Sequence, residues 1–382
     1  MELLNYILGI GDLFLRGLSI VFIIVIIIFV HEMGHYLVGR WCGIQASVFS
    51  LGFGPQILSY VDKRGTRWRL ALFLLGGYVR FSEDESGAGV PSSRSILLMS
   101  GSFANAHAWK RAITVFAGPL FNVLFTVVVL TFFFFSYGRV AIEPVVGSLV
   151  EDSPAIQAGL VRGDRFVEMD SKPVTSFEDL MAYVTFRGGN PIKFKMERMG
   201  EIFNTVITPA VIERDDGFGN RILSGMIGVG APVDPNNPMR LDRTYAKYIS
   251  YNFWEAIEEA SERTTFVITQ TILFIGRLMK GREDHCQLSG PSKTVKIAWH
   301  VSESGFISLL NFMALLSIGV GLVNLLPIPP LDGGYLLFYI IEAAVGRPVP
   351  DKIREVILHM GLFVVLIFMI FVLFNDYFCW FR

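Results

Sequence analysis

The sequence contains the motif His31-Glu32-Met33-Gly34-His35 directly after an uncharged apolar run, residues 17–30. Residues four apart share one face of a helix, so both imidazoles would reach one metal ion and Glu32 would lie beside an open coordination position. The bare motif also recurs by chance on surface helices of soluble proteins. Here it lies in a segment predicted to cross a membrane, where a charged side chain costs about 2.5–3.5 kcal/mol on insertion scales. The location therefore favours a metal site.

The composition is that of a polytopic α-helical membrane protein. Of 382 residues, 52% are hydrophobic and only 18% are charged. A transmembrane helix needs about 20 predominantly apolar residues, and four stretches qualify, at roughly 17–39, 112–137, 305–331 and 356–375. The first stretch lacks a small-residue cleavage site and is expected to be retained. The net charge of −1 predicts no nucleic-acid partner and leaves membrane lipids as the surroundings.

The charges of the loops predict the orientation. Residues 40–111 carry nine Lys or Arg against four acidic residues, so this loop is expected in the cytoplasm. The connection between the third and fourth spans would then be cytoplasmic too, whereas both termini and the long segment 138–304 would lie outside. Both histidines and Asp332, which follows the third span, would lie near the cytoplasmic side.

Asp332 is the candidate third metal ligand. Two histidines leave a catalytic zinc one protein ligand short, and an acidic residue commonly completes the set. Asp332 ends the segment Asn324-Leu-Leu-Pro-Ile-Pro-Pro-Leu-Asp332-Gly333-Gly334, whose prolines and glycines must interrupt the helix. Non-helical backbone at membrane depth is tolerated where it is buried or lines a wet cavity. The alternative is an acidic residue that merely ends a helix at the interface.

A third motif, Gly118-Pro119-Leu-Phe-Asn122, lies in the second span. Glycine and proline would allow close helix approach, and an intramembrane asparagine needs a hydrogen-bond partner, for which an active-site group is one candidate. A packing role for Asn122 is equally open. Gly118, Pro119, Asn122 and Gly333 are therefore expected to support the site rather than to react.

Two apolar segments outside the spans also indicate membrane contact. Residues 56–62 and 67–75 flank Lys63-Arg64-Gly65-Thr66, which predicts a β-hairpin. Residues 70–75 are too apolar for an ordinary surface hairpin, although the tip could be one. Apolar residues at 245, 248, 249, 253 and 257, followed by the apolar run 266–279, predict an amphipathic helix at the interface.

These motifs together resemble the intramembrane site-2 zinc metalloproteases, specifically the bacterial regulator of sigma-E protease type. The resemblance rests on the order HEMGH, Gly52-Phe53-Gly54, Leu75-Gly76-Gly77-Tyr78-Val79, GPLFN and NLLPIPPLDGG. Between them, Ser153-Pro154-Ala155, Ala158-Gly159-Leu160 and Gly163-Asp164-Arg165-Phe166 are similar to the start of a bacterial PDZ domain. Its strands are expected to continue to about residue 210. Residues 211–241 are expected to be loop-like, which leaves room for one PDZ-like domain where many relatives have two.

The resemblance implies the roles of the site residues. His31, His35 and Asp332 match the family's ligands for one Zn²⁺ per chain, Glu32 matches the catalytic base that activates water, and Asn324 matches a residue that holds the substrate backbone. The hairpin would dip into the membrane, and its edge could pair with an extended substrate.

The resemblance also implies substrates and location. The substrates would be single-span membrane proteins cut within the bacterial inner membrane, such as a pre-clipped anti-sigma factor in a stress response, or remnant signal peptides. The PDZ-like domain would bind an extended peptide or a substrate ectodomain and would act as a gate.

The expected organisation has seven parts: a first transmembrane helix at 1–40, a cytoplasmic loop with the hairpin at 41–110, a second transmembrane helix at 111–138, a periplasmic PDZ-like α/β domain at 139–212, a linker with interfacial helices at 213–303, a third transmembrane segment at 304–334, and a cytoplasmic connection with the fourth helix at 335–382. Two alternatives remain: a membrane scaffold with a vestigial metal site, and a metallopeptidase of soluble peptides. The complete HExxH with a separate Asp332 disfavours the first, and four spans disfavour the second.

Overall fold

The computed structural model of the chain describes residues 2–82, 102–215, 221–234, 237–279 and 290–380. Parts of two predicted segments, 83–101 in the cytoplasmic loop and 280–289 in the linker, lie outside the described residues. The chain divides into two compact units. The first comprises Met1–Phe132, Ile257–Ile268 and Gly290–Leu373, and the second comprises Phe133–Ala256, Thr269–Ser289 and Phe374–Arg382.

The described helices are α1 Glu2–Trp41, α2 Ala108–Tyr137, α3 Pro154–Gln157, α4 Phe177–Thr185, α5 Phe253–Met279, α6 Pro291–Glu303, α7 Phe306–Asn324, α8 Asp332–Val345 and α9 Asp351–Trp380. Four of them contain segments long and apolar enough to cross a membrane, at Leu15–Trp41, Ala108–Tyr137, Phe306–Asn324 and Asp351–Phe378. These correspond to the four predicted spans, and their many exposed apolar side chains are those expected of helices that contact lipid.

The predicted break in the helix before Asp332 is present, but the predicted end of the third span is wrong. The span was expected to cover 305–331 with Asp332 at its end, whereas α7 stops at Asn324 and Asp332 is the first residue of the separate helix α8. The three prolines of the intervening loop lack an N–H and cannot continue a helix, and the Pro329–Pro330 peptide bond is cis. Residues 335–345 are therefore helical rather than part of a simple connection.

The strands are β1 Ala46–Val61, β2 Arg67–Phe81, β3 Arg139–Ile142, β4 Ser148–Leu149, β5 Arg165–Met169, β6 Lys172–Pro173, β7 Ile192–Arg198, β8 Glu201–Ile207, β9 Ala210–Asp215, β10 Arg221–Met226, β11 Val229–Gly230, β12 Val233–Asp234, β13 Asn237–Leu241 and β14 Ala246–Ile249. Strands β1 and β2 form the predicted hairpin in the first unit, and both are longer than expected. At its turn, Asp62 Oδ1 accepts hydrogen bonds from the amides of Arg64 and Thr66 at 2.8 and 2.9 Å.

The hairpin folds back on itself, so that β1 and β2 pair more than once. Residues 46–51 pair with 77–81, and Val48–Leu51 also pair with Arg67–Leu70 on their other side, while 56–61 pair with 67–71. Gly52 and Gly54 lie at the bend with φ of 88° and 86°, a conformation that glycine adopts without strain. Large apolar side chains on this hairpin are exposed, including Ile57, Leu58, Leu72 and Phe73, as expected for a membrane-associated element.

The second unit contains an α/β fold that is larger than predicted. A four-stranded sheet with the order β6-β5-β7-β8 shares an apolar core with α4, in which Phe166, Leu180, Phe194 and Met196 are almost fully buried. Strand β11 pairs with β4, and β14 pairs with β3. The expected boundary at residue 212 and the loop-like 211–241 are therefore wrong, since strands continue to Ile249.

The predicted interfacial helix near residue 245 is also corrected. Residues 246–249 form strand β14, and the helix that follows, α5, begins at Phe253 and continues without interruption for 27 residues. In this strand Ala246 and Ile249 are partly buried, whereas Lys247 and Tyr248 are exposed, and this three-residue interval also fits a helix. Over so few residues, the two periods cannot be distinguished.

Candidate active site

Three side chains of the HExxH motif lie on the inward side of α1. His31, Glu32 and His35 are 7%, 8% and 9% exposed, respectively. The Nε2 atoms of the two histidines are 3.3 Å apart. The four-residue spacing on a helix thus places both imidazoles at one point, as the sequence predicts.

Asp332 lies at the same point, although it is 297 residues from His35 along the chain. Its Oδ2 is 3.0 Å from His31 Nε2 and 3.4 Å from His35 Nε2. Tetrahedral zinc with bonds of about 2.0–2.1 Å places neighbouring ligand atoms about 3.3 Å apart, which matches all three separations. Among the described residues, this is the one group of three His, Cys or acidic side chains that converges in this way.

The carboxylate oxygen of Asp332 and the two imidazole nitrogens are groups that bind a cation. Asp332 Oδ2 is buried, and no hydrogen bond of good geometry reaches it from the described residues. A buried carboxylate oxygen without a well-formed hydrogen bond is costly, and a metal ion shared with two imidazole nitrogens satisfies it. His31, His35 and Asp332 are therefore the residues that would hold zinc here.

The remaining nitrogen of each histidine also has a neighbour. His35 Nδ1 is 2.9 Å from the carbonyl oxygen of Thr114 on α2, so Nδ1–H donates and Nε2 keeps its lone pair for a metal. His31 Nδ1 is 3.3 Å from the side-chain amide of Asn122, also on α2. Helix α2 thus contacts both metal-ligand candidates from one side.

Gly118 allows α2 to approach α1 this closely. A β-carbon at this position would lie 2.3 Å from His35 Nε2 and 3.0 Å from His31 Cε1. Pro119 follows within the helix, where its missing N–H locally weakens the helical hydrogen-bond ladder. Gly333 plays a similar steric role in α8, since a β-carbon there would lie 2.3 Å from the carbonyl oxygens of Leu325 and Leu326.

Glu32 faces the hairpin. The backbone amide of Val79 donates a hydrogen bond to its carboxylate, and a β-carbon on Gly77 would lie 3.0 Å from Glu32 Cγ. Strand β2 therefore passes directly beside Glu32, and its backbone can come this close because Gly77 has no side chain.

A sequence model of peptidase family M50 matches residues 19–368 of the chain. The chain belongs to peptidase family M50. This M50 peptidase is 71% identical over 356 residues to a protein of Bartonella henselae named as a zinc metalloprotease, with 93% of this chain and 99% of that protein covered. A protein of Mesorhizobium japonicum with the same kind of name is 44% identical and covers 94% of this chain and 97% of its own length. The metalloprotease MmpA of Caulobacter vibrioides is 32% identical, with 94% of each chain covered.

These findings establish a zinc metalloprotease that is a membrane protein. The PDZ domain of an SdrC-like protein from Listeria monocytogenes is similar to part of the chain, with a TM-score of 0.19 and 21% identity, and covers 25% of this chain and 87% of that one. A likeness of this size carries no argument about the fold. The PDZ-like nature of the second unit therefore stays a prediction.

Among the described residues, no hydrogen bond joins the predicted site residue Asn324 of the M50 peptidase to the cluster. Asn324 is half-buried at the last position of α7, directly before the loop that leads to Asp332. Its substrate-binding role stays a prediction. Two contacts in the structure were not predicted from the sequence: the contact of the Thr114 carbonyl with His35 and that of the Val79 amide with Glu32. Both are made by the backbone, so no side-chain pattern could have indicated them.

Proposed function

We propose that this M50 peptidase is an intramembrane endopeptidase that cuts the transmembrane segments of single-span membrane proteins. One observation carries the proposal: the buried His31-Glu32-His35 group lies within the apolar helical segment Leu15–Trp41. A site at this depth meets peptide bonds that a soluble peptidase does not reach. The alternative substrates are soluble peptides, and their cleavage does not require a site inside a membrane span.

We assign the roles as follows. His31, His35 and Asp332 hold one zinc ion per chain, and their separations support this set. When bound, the zinc supplies a Lewis acid that polarises a carbonyl group and makes water more acidic. Glu32 takes the proton of the attacking water and later delivers it to the leaving amine. The Val79 amide orients the Glu32 carboxylate for this exchange.

The substrate segment must be extended before it is cut, because the carbonyls of a helix are hydrogen-bonded and shielded by side chains. Strand β2 supports this step. Residues 77–79 pass beside Glu32, and the extended residues 74–76 that precede them have no partner in the register of the described sheet. An unwound substrate could pair with this backbone as an added strand. Asn324, at the end of α7, would hold the substrate backbone on the side of the Asp332 loop.

The location and substrates follow from the loop charges and the resemblance. We propose a bacterial inner-membrane protein with a cytoplasmic hairpin, periplasmic termini and a periplasmic second unit that binds an extended peptide or substrate ectodomain. Its substrates would be a pre-clipped anti-sigma factor in an envelope stress response and remnant signal peptides. The vestigial scaffold alternative is disfavoured, since the M50 relatives named above are metalloproteases.

Two variants of the purified full-length protein test the chemistry. Glu32→Gln should retain zinc and lose about 10²–10⁴-fold in the rate of cleavage of a single-span substrate, because only the base is removed. Asp332→Ala should lose zinc, measured by elemental analysis, because two histidines alone leave the set incomplete. In cells, clipped fragments that accumulate with Glu32→Gln identify the substrates. Wild-type cleavage by Glu32→Gln, or unchanged zinc in Asp332→Ala, would reject the assigned roles.

A further inference from the structure

Asn122 on α2 lies fully buried beside His31. The assigned orientation of its side-chain amide conflicts with metal binding by His31 Nε2. The amide nitrogen Nδ2 faces His31 Nδ1 at 3.3 Å, and the amide oxygen Oδ1 is buried with no hydrogen-bond partner. An amide nitrogen can only donate, so Nδ1 would have to be the acceptor. The ring proton would then be on Nε2, the atom that is 3.0 Å from Asp332 Oδ2 and belongs to the metal cluster.

Exchanging the two ends of the amide removes the contradiction. The oxygen and nitrogen of an asparagine side chain have nearly the same shape, and their assignment is inferred from the hydrogen-bond network. A half-turn of the Asn122 amide places Oδ1 opposite His31 Nδ1, so that Nδ1–H donates to it. The amide oxygen gains a partner, the amide nitrogen takes the buried position that the oxygen leaves, and His31 Nε2 regains the lone pair that a metal needs.

We propose that Asn122 is a positioning residue whose side-chain oxygen accepts the Nδ1–H of His31 and thereby fixes the ring and tautomer that bind zinc. The proposal rests on the zinc site of the proposed function. It gives each histidine the same support, because the Thr114 carbonyl accepts from His35 in the same way. The two contacts differ in one respect: His35 is held by backbone and His31 by a side chain that can be replaced.

Helix α7 holds the Asn122 backbone in place and leaves its side chain for His31. The Asn122 carbonyl oxygen accepts from Ser317 Oγ of α7 at 3.1 Å and, within α2, from Thr126 Oγ1 at 3.0 Å. The Thr126 hydroxyl also lies 2.9 Å from the Ala314 carbonyl oxygen of α7. A β-carbon on Gly321 would lie 3.3 Å from Asn122 Cβ, so the two helices are in close contact there. These contacts keep Asn122 at the depth of His31 without using its amide group.

The rival explanation is that Asn122 only packs α2 against α7, and two substitutions separate the two roles. Asn122→Leu keeps the approximate volume but has no acceptor, so zinc affinity should fall about 10–100-fold, as for other residues that orient metal ligands. Asn122→Asp keeps the acceptor oxygen, so zinc affinity should return to near the wild-type value. A pure packing role predicts the opposite order, because a buried carboxylate disturbs helix packing more than leucine does.

Zinc affinity is measured on full-length protein in detergent by competition with a chromophoric chelator, with the Co²⁺ absorption spectrum as a second readout of ligand geometry. Leu124→Ala is the matched control, since Leu124 lies on the exposed side of the same helix and its loss should leave zinc affinity unchanged. Asn122→Ala, which removes the acceptor without adding volume, replaces the leucine variant if that does not fold. Wild-type affinity in the Leu or Ala variant, or weaker binding by Asp than by Leu, would overturn the assignment of Asn122. Failure of the wild-type protein to bind zinc would instead overturn the proposed function.

Discussion

Gly118→Ala adds one methyl group at the point where α2 meets the two histidines. The added carbon would lie 2.3 Å from His35 Nε2, whereas non-bonded carbon contacts are ordinarily about 3.5–4.0 Å. His35 Nε2 must therefore move by about 1 Å, and metal–ligand distances tolerate about 0.2 Å. Zinc affinity should fall sharply. Since a 1 Å misplacement costs about 100-fold in rate, cleavage should fall by at least that factor.

The assay compares zinc content and substrate cleavage with those of Gly319→Ala. Gly319 is a glycine of α7 whose added β-carbon would meet nothing within 4 Å. Alanine also favours a helix over glycine by about 1 kcal/mol, so neither variant should lose helical structure. If Gly118→Ala retained one zinc per chain and cleaved at the wild-type rate, the close contact between α2 and the histidines would be refuted.

Two further predictions concern ion pairs. Arg111 on α2 contacts the Glu342 carboxylate on α8, the helix that begins with the acidic ligand candidate, and both side chains are largely buried. Arg111→Met should destabilise the protein by about 3–5 kcal/mol, and the additional change Glu342→Leu should recover most of this loss in thermal unfolding, because it removes the unpaired charge. In the second unit, Arg198 donates to both carboxylate oxygens of buried Asp164 at 2.7 and 2.8 Å. Burial alone would raise the pKa of Asp164, but these hydrogen bonds and one from a backbone amide hold it below its ordinary value. In the wild-type protein, the contribution of ionised Asp164 to folding stability is therefore fully present above a pH of about 4. It is lost as the pH falls through the pKa of Asp164 in the folded state. In Arg198→Met, burial dominates and raises the pKa of Asp164, so the stability that the variant lacks relative to wild type, measured by hydrogen exchange in the second unit, should shrink as the pH falls toward about 4. A difference between the two proteins that stayed constant over that interval would contradict this.

The local part of the site could be predicted from the sequence, because the chemistry follows from spacing on one helix. His31 and His35 share a face of α1 whatever surrounds them. The meeting with Asp332 required a different argument, the matching of depths across four spans. That argument correctly placed Asp332 near the two histidines but assigned it to the wrong helix, since Asp332 begins α8 instead of ending α7.

The second unit shows where sequence reasoning fails. Strands β11 and β14 are short, and they form only by pairing with β4 and β3, some eighty to a hundred residues earlier. Short segments of this kind have little hydrophobic periodicity of their own. The extent of this unit is set by long-range backbone pairing, which leaves almost no local pattern.

The contact between His35 and the Thr114 carbonyl cannot be removed by any amino-acid substitution at position 114. The Thr114 side chain is used elsewhere, since its hydroxyl donates to the carbonyl oxygen of Lys110 at 2.8 Å. A saturation mutagenesis screen would therefore show that substitutions at 114 are tolerated and would overlook the group that orients a metal-ligand candidate. Backbone chemistry reaches it: an ester in place of the amide bond between residues 114 and 115 weakens the carbonyl as an acceptor while it retains every side chain.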